Sequence, residues 1–131
     1  MAITMAGRRM PGAGRRPWNL AMKFRADIAT LEDARDKILS VCQCGPEEEI
    51  EYELIIQRGP KEYDILDDAP GPKISFAPLG LDLAPGLAAI RFSGDTMSIV
   101  VTSCEDIEVD LSPLADDERA FLVKVARKIL K

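Results

Sequence analysis

The sequence predicts a two-layer α+β domain: a mostly antiparallel, curved sheet in the order β-α-β-β-β-β-β-β-α, with two helices packed on one face. Three observations predict it. Several stretches alternate apolar and polar residues with period two, as half-buried strands do. Two stretches repeat apolar residues at spacings of three and four, as amphipathic helices do. Short Gly- and Pro-rich turns separate the strands, which favours neighbours paired in a meander.

Residues 1–17 read as a basic Gly/Pro-rich arm, broken by Gly7, Pro11, Gly12, Gly14 and Pro17. Residues 18–131 read as one domain. In the first strand Trp18, Leu20, Met22, Phe24, Ala26 and Ile28 alternate with mostly polar neighbours. Thr30 then suits a helix N-cap, and Glu32 and Asp33 suit the positive end of the helix dipole. Leu31, Ala34, Ile38, Val41 and Cys42 fall on one helical face. Gly45 and Pro46 end that helix.

Ile50, Tyr52, Leu54 and Ile56 form the inward side of the next strand, and Glu62–Leu66 the one after it. Lys73–Ala77 reads as a short strand and "PLGLDLAPG" as a loop. Placing Gly94 and Asp95 at a two-residue hairpin tip sets Ser93 opposite Thr96 and Phe92 opposite Met97. Ile90 then faces Ile99, Ala88 faces Val101, and Arg91 meets Ser98. A slip by one would scramble these pairs. Ile107, Val109 and Leu111 alternate as a further strand.

Ser112 and Pro113 suit the cap and first turn of a last helix. Asp116, Asp117 and Glu118 lie early in it and Arg127, Lys128 and Lys131 late, as the dipole prefers. Its apolar stripe is Leu114, Phe121, Leu122, Val125 and Ile129.

At 131 residues the chain is long enough to bury a core unaided. Its apolar and charged fractions, 47% and 30%, are those of a soluble globular protein. No apolar run approaches the ~20 residues that span a membrane, and no secretory h-region follows the basic start. Three cysteines give no complete disulfide framework, so a reducing, cytoplasmic compartment is expected.

Charge is unevenly placed. Of 17 basic side chains, Arg8, Arg9, Arg15, Arg16, Lys23 and Arg25 lie in residues 1–25, where there is no acid. The other 11 share the remainder with all 22 acidic residues. An acidic body repels nucleic acid and acidic lipid, while a basic arm can reach nucleic acid; no membrane partner is expected.

The chain has no histidine. That excludes Ser–His and Cys–His nucleophilic mechanisms and removes the commonest metal ligand. The remaining metal candidates are weak: Cys42, Cys44 and Cys104, short of a four-ligand zinc set. On a helix Cys42 and Cys44 point about 200° apart, so only an unwound end lets them converge. Cys42 then reads as buried, Cys44 as exposed or capping, and Cys104 as a turn residue. Asp64, Asp67 and Asp68 with Asp116 and Asp117 would hold Mg²⁺ only if they converged; otherwise they are a solvated loop and a helix start. No phosphate-cradling glycine pattern is present. No cofactor is expected.

The arm offers Arg8, Arg9, Arg15 and Arg16, with Trp18 able to stack on a base. Competing readings dock it on Glu47, Glu48, Glu49, Glu51 and Glu53 of its own or a neighbouring subunit, or place the natural start later, at Met5 or Met10. Outward Glu51 and Glu53 also read as guards of a sheet edge. The expected architecture is similar to that of helix-grip domains, which hold apolar ligands between sheet and terminal helix. It is similar too to small acidic secretion-chaperone-like domains, which dimerise and hold a partner chain. No motif accompanies either likeness, and fold does not fix function.

The function expected is a small non-catalytic cytoplasmic protein acting through protein–protein association, with itself or another protein. A small apolar-ligand module with a sheet–helix cleft is the first alternative. Nucleic-acid binding through residues 1–17 is the second.

Overall fold

The structure is a computed structural model that describes residues 22–60, 71–77, 80–102 and 106–130. The arm, Trp18, the Glu62–Leu66 stretch and Cys104 lie outside the described residues. These hold nine strands and one helix: β1 (Met22–Arg25), β2 (Ile28–Asp33), β3 (Lys37–Cys44), β4 (Ile50–Arg58), β5 (Lys73–Ala77), β6 (Leu81–Ala84), β7 (Leu87–Ser93), β8 (Thr96–Val101), β9 (Ile107–Asp110) and α1 (Asp116–Ile129).

The strands form two sheets, not one. A four-stranded sheet runs β1-β9-β8-β7, and a five-stranded sheet runs β2-β3-β4-β5-β6. All neighbours are antiparallel except β1 and β9, where Met22 lies beside Ile107 and Arg25 beside Asp110. The sheets share one core. Met97, Ile99, Ile107 and Val109 from the smaller sheet join Leu39, Val41, Leu54, Ile56, Ile74 and Phe76 from the larger. Phe24 of β1 crosses to stack on Tyr52 and Phe76, with ring centroids 5.4 and 5.7 Å away.

The predicted second helix is absent. Residues 30–44 form most of the β2–β3 hairpin, in which Ile28 faces Cys42 and Asp33 faces Lys37. Leu39, Val41 and Gln43 are buried, and Ile38, Ser40, Cys42 and Cys44 alternate with them on the outer face. Apolar residues on both faces mimic a helical stripe, but β-branched Ile38 and Val41 are at home on a pleated surface. With strands where the first helix was expected and one helix among the described residues, the likeness to helix-grip and secretion-chaperone-like domains loses its basis.

Smaller corrections follow from irregular ladders. In β4, Tyr52 faces Gln43 but Ile50 faces Cys44, so Glu51 is an extra, bulged residue. That slip turns Ile50 out of the core, to 58% exposure. β4 is also an interior strand, so its glutamates guard no edge. In β7, Leu87 rather than Ala88 faces Val101, because the register shifts before Ala89. The rest of that hairpin pairs as the Gly94–Asp95 tip requires, with Gly94 at φ 60°. A type II′ turn reserves that first central position for glycine. The stretch read as a loop holds β6, bent at Leu83 (φ 52°), whose N–H donates to Ser75 Oγ.

α1 starts three residues later than Ser112 suggests. Leu114 closes a turn onto Leu111, and Ala115 is the N-cap. Ala115 has no side-chain acceptor, but Glu118 Oε1 accepts its N–H at 3.1 Å. Leu122, Val125, Ala126 and Ile129 are buried against β2, β3 and β4, while Phe121 stays 38% exposed. No helix among the described residues is long and apolar enough to cross a membrane.

Candidate functional site

The functional candidates gather where one strand changes sheets. Ala26 N–H donates to Asp110 O of the smaller sheet at 2.8 Å, and the next amide, Asp27, donates to Cys42 O of the larger at 2.9 Å. β1 and β2 are thus one bent strand serving both sheets.

Such a corner leaves backbone groups without a ladder partner, and each needs another one. Gln43, a buried polar residue inside the corner, supplies it. Its Oε1 accepts the Arg25 N–H at 2.9 Å, and its Nε2 donates to Glu51 Oε1 at 3.0 Å. Arg25 and Asp27 tie the end of β3. Arg25 Nε donates to Asp27 Oδ1 at 2.8 Å and its NH2 to Cys44 O at 3.1 Å. Asp27 Oδ2 accepts the Cys44 N–H at 2.9 Å. Both backbone groups of Cys44 are therefore held by a charge-assisted bond.

Beside this knot lies an open cleft of about 450 Å³, lined by Lys23, Arg25, Gln43, Thr96, Glu108 and Asp110 over Phe24 and Val109. Its charges largely cancel. Lys23 pairs with Glu108 at 3.5 Å, and both face solvent enough that the pair is worth little. Nothing in it is arranged as a nucleophile with a base.

Cys42 and Cys44 stand together on the outer face of β3, contrary to the helical expectation. Both are half-buried and neither is in a disulfide. Burial pushes the Cys42 thiol up, helped by the adjacent Cys44 and by the carboxylates of Glu53 and Asp27. It is a poor nucleophile at neutral pH. Among the described residues no group of three or more Cys, Asp or Glu is placed to hold a metal ion. Asp116 and Asp117 sit exposed at the start of α1, Asp116 paired with Arg119, and their proposed partners Asp64, Asp67 and Asp68 lie outside the described residues. Arg8, Arg9, Arg15, Arg16, Trp18 and Cys104 lie outside them too.

No family model and no curated protein matches this sequence. Geometry alone speaks for function.

One further surface was legible only as parts. β7 is an edge strand, paired among the described residues only with β8. Beside it a groove of about 240 Å³ is lined by Ile90, Phe92, Ala126, Arg127 and Leu130. The sequence paired Ile90 with Ile99 and Phe92 with Met97 and passed over Leu130, because the groove arises only when α1 comes to lie next to β7. With no described strand on its outer side, the edge brings backbone donors and acceptors, and Leu130, 39% exposed, brings apolar surface.

Proposed function

We propose that this is a small cytoplasmic protein that works by association rather than catalysis, pairing with a second copy of itself through the β7 edge. The observation that supports this most is the coincidence of an open strand edge with an apolar groove on the same side. Strand addition supplies main-chain hydrogen bonds, and a flanking groove supplies specificity. In a two-residue hairpin the pair next to the turn, Ser93 and Thr96, exchanges both hydrogen bonds, so Phe92 and Ile90 turn their backbone groups to the open side. Two such edges, related by a two-fold axis, would join antiparallel into one eight-stranded sheet.

The space between sheets and helix gives the apolar-ligand alternative no support, for Leu39, Val41, Leu54, Leu122, Val125 and Ile129 fill it at 0% exposure. Native mass spectrometry of the full chain tests the main reading. A dimer is expected, and Leu130→Lys, which puts a charge in the groove at a helix end that tolerates cations, should shift it to monomer. A wild-type monomer at tens of micromolar would refute the proposal. Deleting residues 1–17 separates an arm contribution from an edge contribution.

A further inference from the structure

We propose that Cys42 and Cys44 form a two-thiolate site for a soft monovalent metal ion of the copper(I) class. Three features of the strand carry this. Residues two apart on a strand point the same way, so both thiols leave the same face of β3, half-buried and reachable. Their Cα atoms stand about 6.5–7 Å apart by strand rise, and parallel Cβ vectors keep the Cβ atoms nearly as far. A disulfide needs Cβ atoms ~3.5–4.5 Å apart, so direct S–S bonding would distort β3, whereas one bridging ion spans the gap. Finally, Cys44 is fixed before any ligand arrives, its N–H on Asp27 and its carbonyl on Arg25.

The donor set selects the ion. Soft sulfur ligands favour copper(I) or zinc, but structural zinc wants four ligands. Among the described residues the geometry brings two sulfurs together and no group of three or more metal-ligating side chains. A monovalent ion that accepts two sulfurs in line fits that set. Binding converts two thiols to thiolates, releases two protons to solvent and leaves a complex of charge −1. The Arg25 guanidinium is already paired with Asp27 at 2.8 Å, so the half-exposed site leaves that charge to solvent. Exposed Ile28 and Ile50 face Cys42 and Cys44 across the ladders and make part of the site's border apolar, while Glu53 faces Cys42 on the β4 side. Because protons leave, affinity falls as pH falls.

The test is titration of the reduced full-length chain with copper(I) against a chromogenic copper(I) chelator, without oxygen. One ion per chain is expected. Cys42→Ser and Cys44→Ser should each weaken binding by ~100-fold or more, since the second sulfur binds intramolecularly. Cys104→Ser should leave it unchanged, and zinc(II) should not compete. Wild-type protein gives an independent reading: copper(I) should protect Cys42 and Cys44 together from alkylation, mapped by peptide mass, and leave Cys104 reactive. Retained affinity in either single-serine variant, loss in Cys104→Ser, or equal competition by zinc(II) overturns the proposal.

Discussion

The two ends of β2 are anchored by different physics. At the β1–β2 corner, side chains of Gln43, Asp27 and Arg25 complete backbone groups that the strand switch leaves without ladder partners. At the β2–β3 tip, Asp33 meets three lysines: Lys128 at 2.7 Å, Lys37 at 3.7 Å and Lys124 at 4.0 Å. Two of those lysines belong to α1, so this cluster fastens the helix to the hairpin. The corner bonds are directional and partly out of water. The tip contacts are ion pairs in which Lys124 and Lys128 stay largely in water, while Lys37 and Asp33 are more enclosed. Leaving a buried backbone group without a partner costs far more than losing a solvated charge pair. The corner should therefore be the sensitive end in its polar groups, while the apolar cores of the two ends should be alike.

Truncating the core sets the scale. Phe76→Ala, which removes the ring stacked on Phe24 at the corner end, should cost about 3–5 kcal/mol. Leu122→Ala, under the helix end, should cost about 2–5 kcal/mol. Urea denaturation of both variants checks that the ends match in this respect. A near-zero loss for one of them would show that its end is loosely packed.

Polar deletions should then separate the ends. Gln43→Ala strands the Arg25 N–H and removes the donor to Glu51, and a loss of about 1–3 kcal/mol is expected by the same measurement. A loss as small as that of a surface substitution would erase the contrast.

Asp33→Asn should have the smallest effect, and one that depends on pH and salt. The Lys128 hydrogen bond holds the Asp33 carboxyl below its ordinary value of 3.8, with Lys37 and Lys124 acting in the same direction. A lowered folded-state pKa stabilises above the unfolded value and is lost as pH falls through the folded one. The Tm gap between wild type and Asp33→Asn should thus be present at pH 5, shrink below about 3.8, and shrink also in high salt. A gap that persists at pH 2 would mean that Asp33 acts by packing instead.

Legibility in the sequence followed how local each cause is. The Gly94–Asp95 hairpin was readable because its turn and its pairs lie within a few residues, and α1 because Leu122, Val125 and Ile129 repeat at one helical period. Residues 30–44 misled because apolar side chains on both faces satisfy a helical spacing as well as a strand. The "DARD" tetrad at Asp33–Asp36 was the missed sign of a turn. The placing of Cys42 with Cys44 depended wholly on that choice, since the same spacing separates thiols on a helix and aligns them on a strand. The knot of Arg25, Asp27 and Gln43 had no local sign, because it exists only where β1, β3 and β4 meet.

The sheet-switching strand also sets an order of assembly. In its own sheet β1 has β9 as its only described neighbour, and Met22 lies beside Ile107. β9 is the last of the described strands to be made. On the ribosome β2 to β6 and the β7–β8 hairpin can form as they emerge, each partner following soon after the other. β1 must wait, although it is the first of the described strands to be made. The smaller sheet is completed only when β9 has followed the eight other described strands out of the tunnel, and until then Phe24 has no finished core to enter.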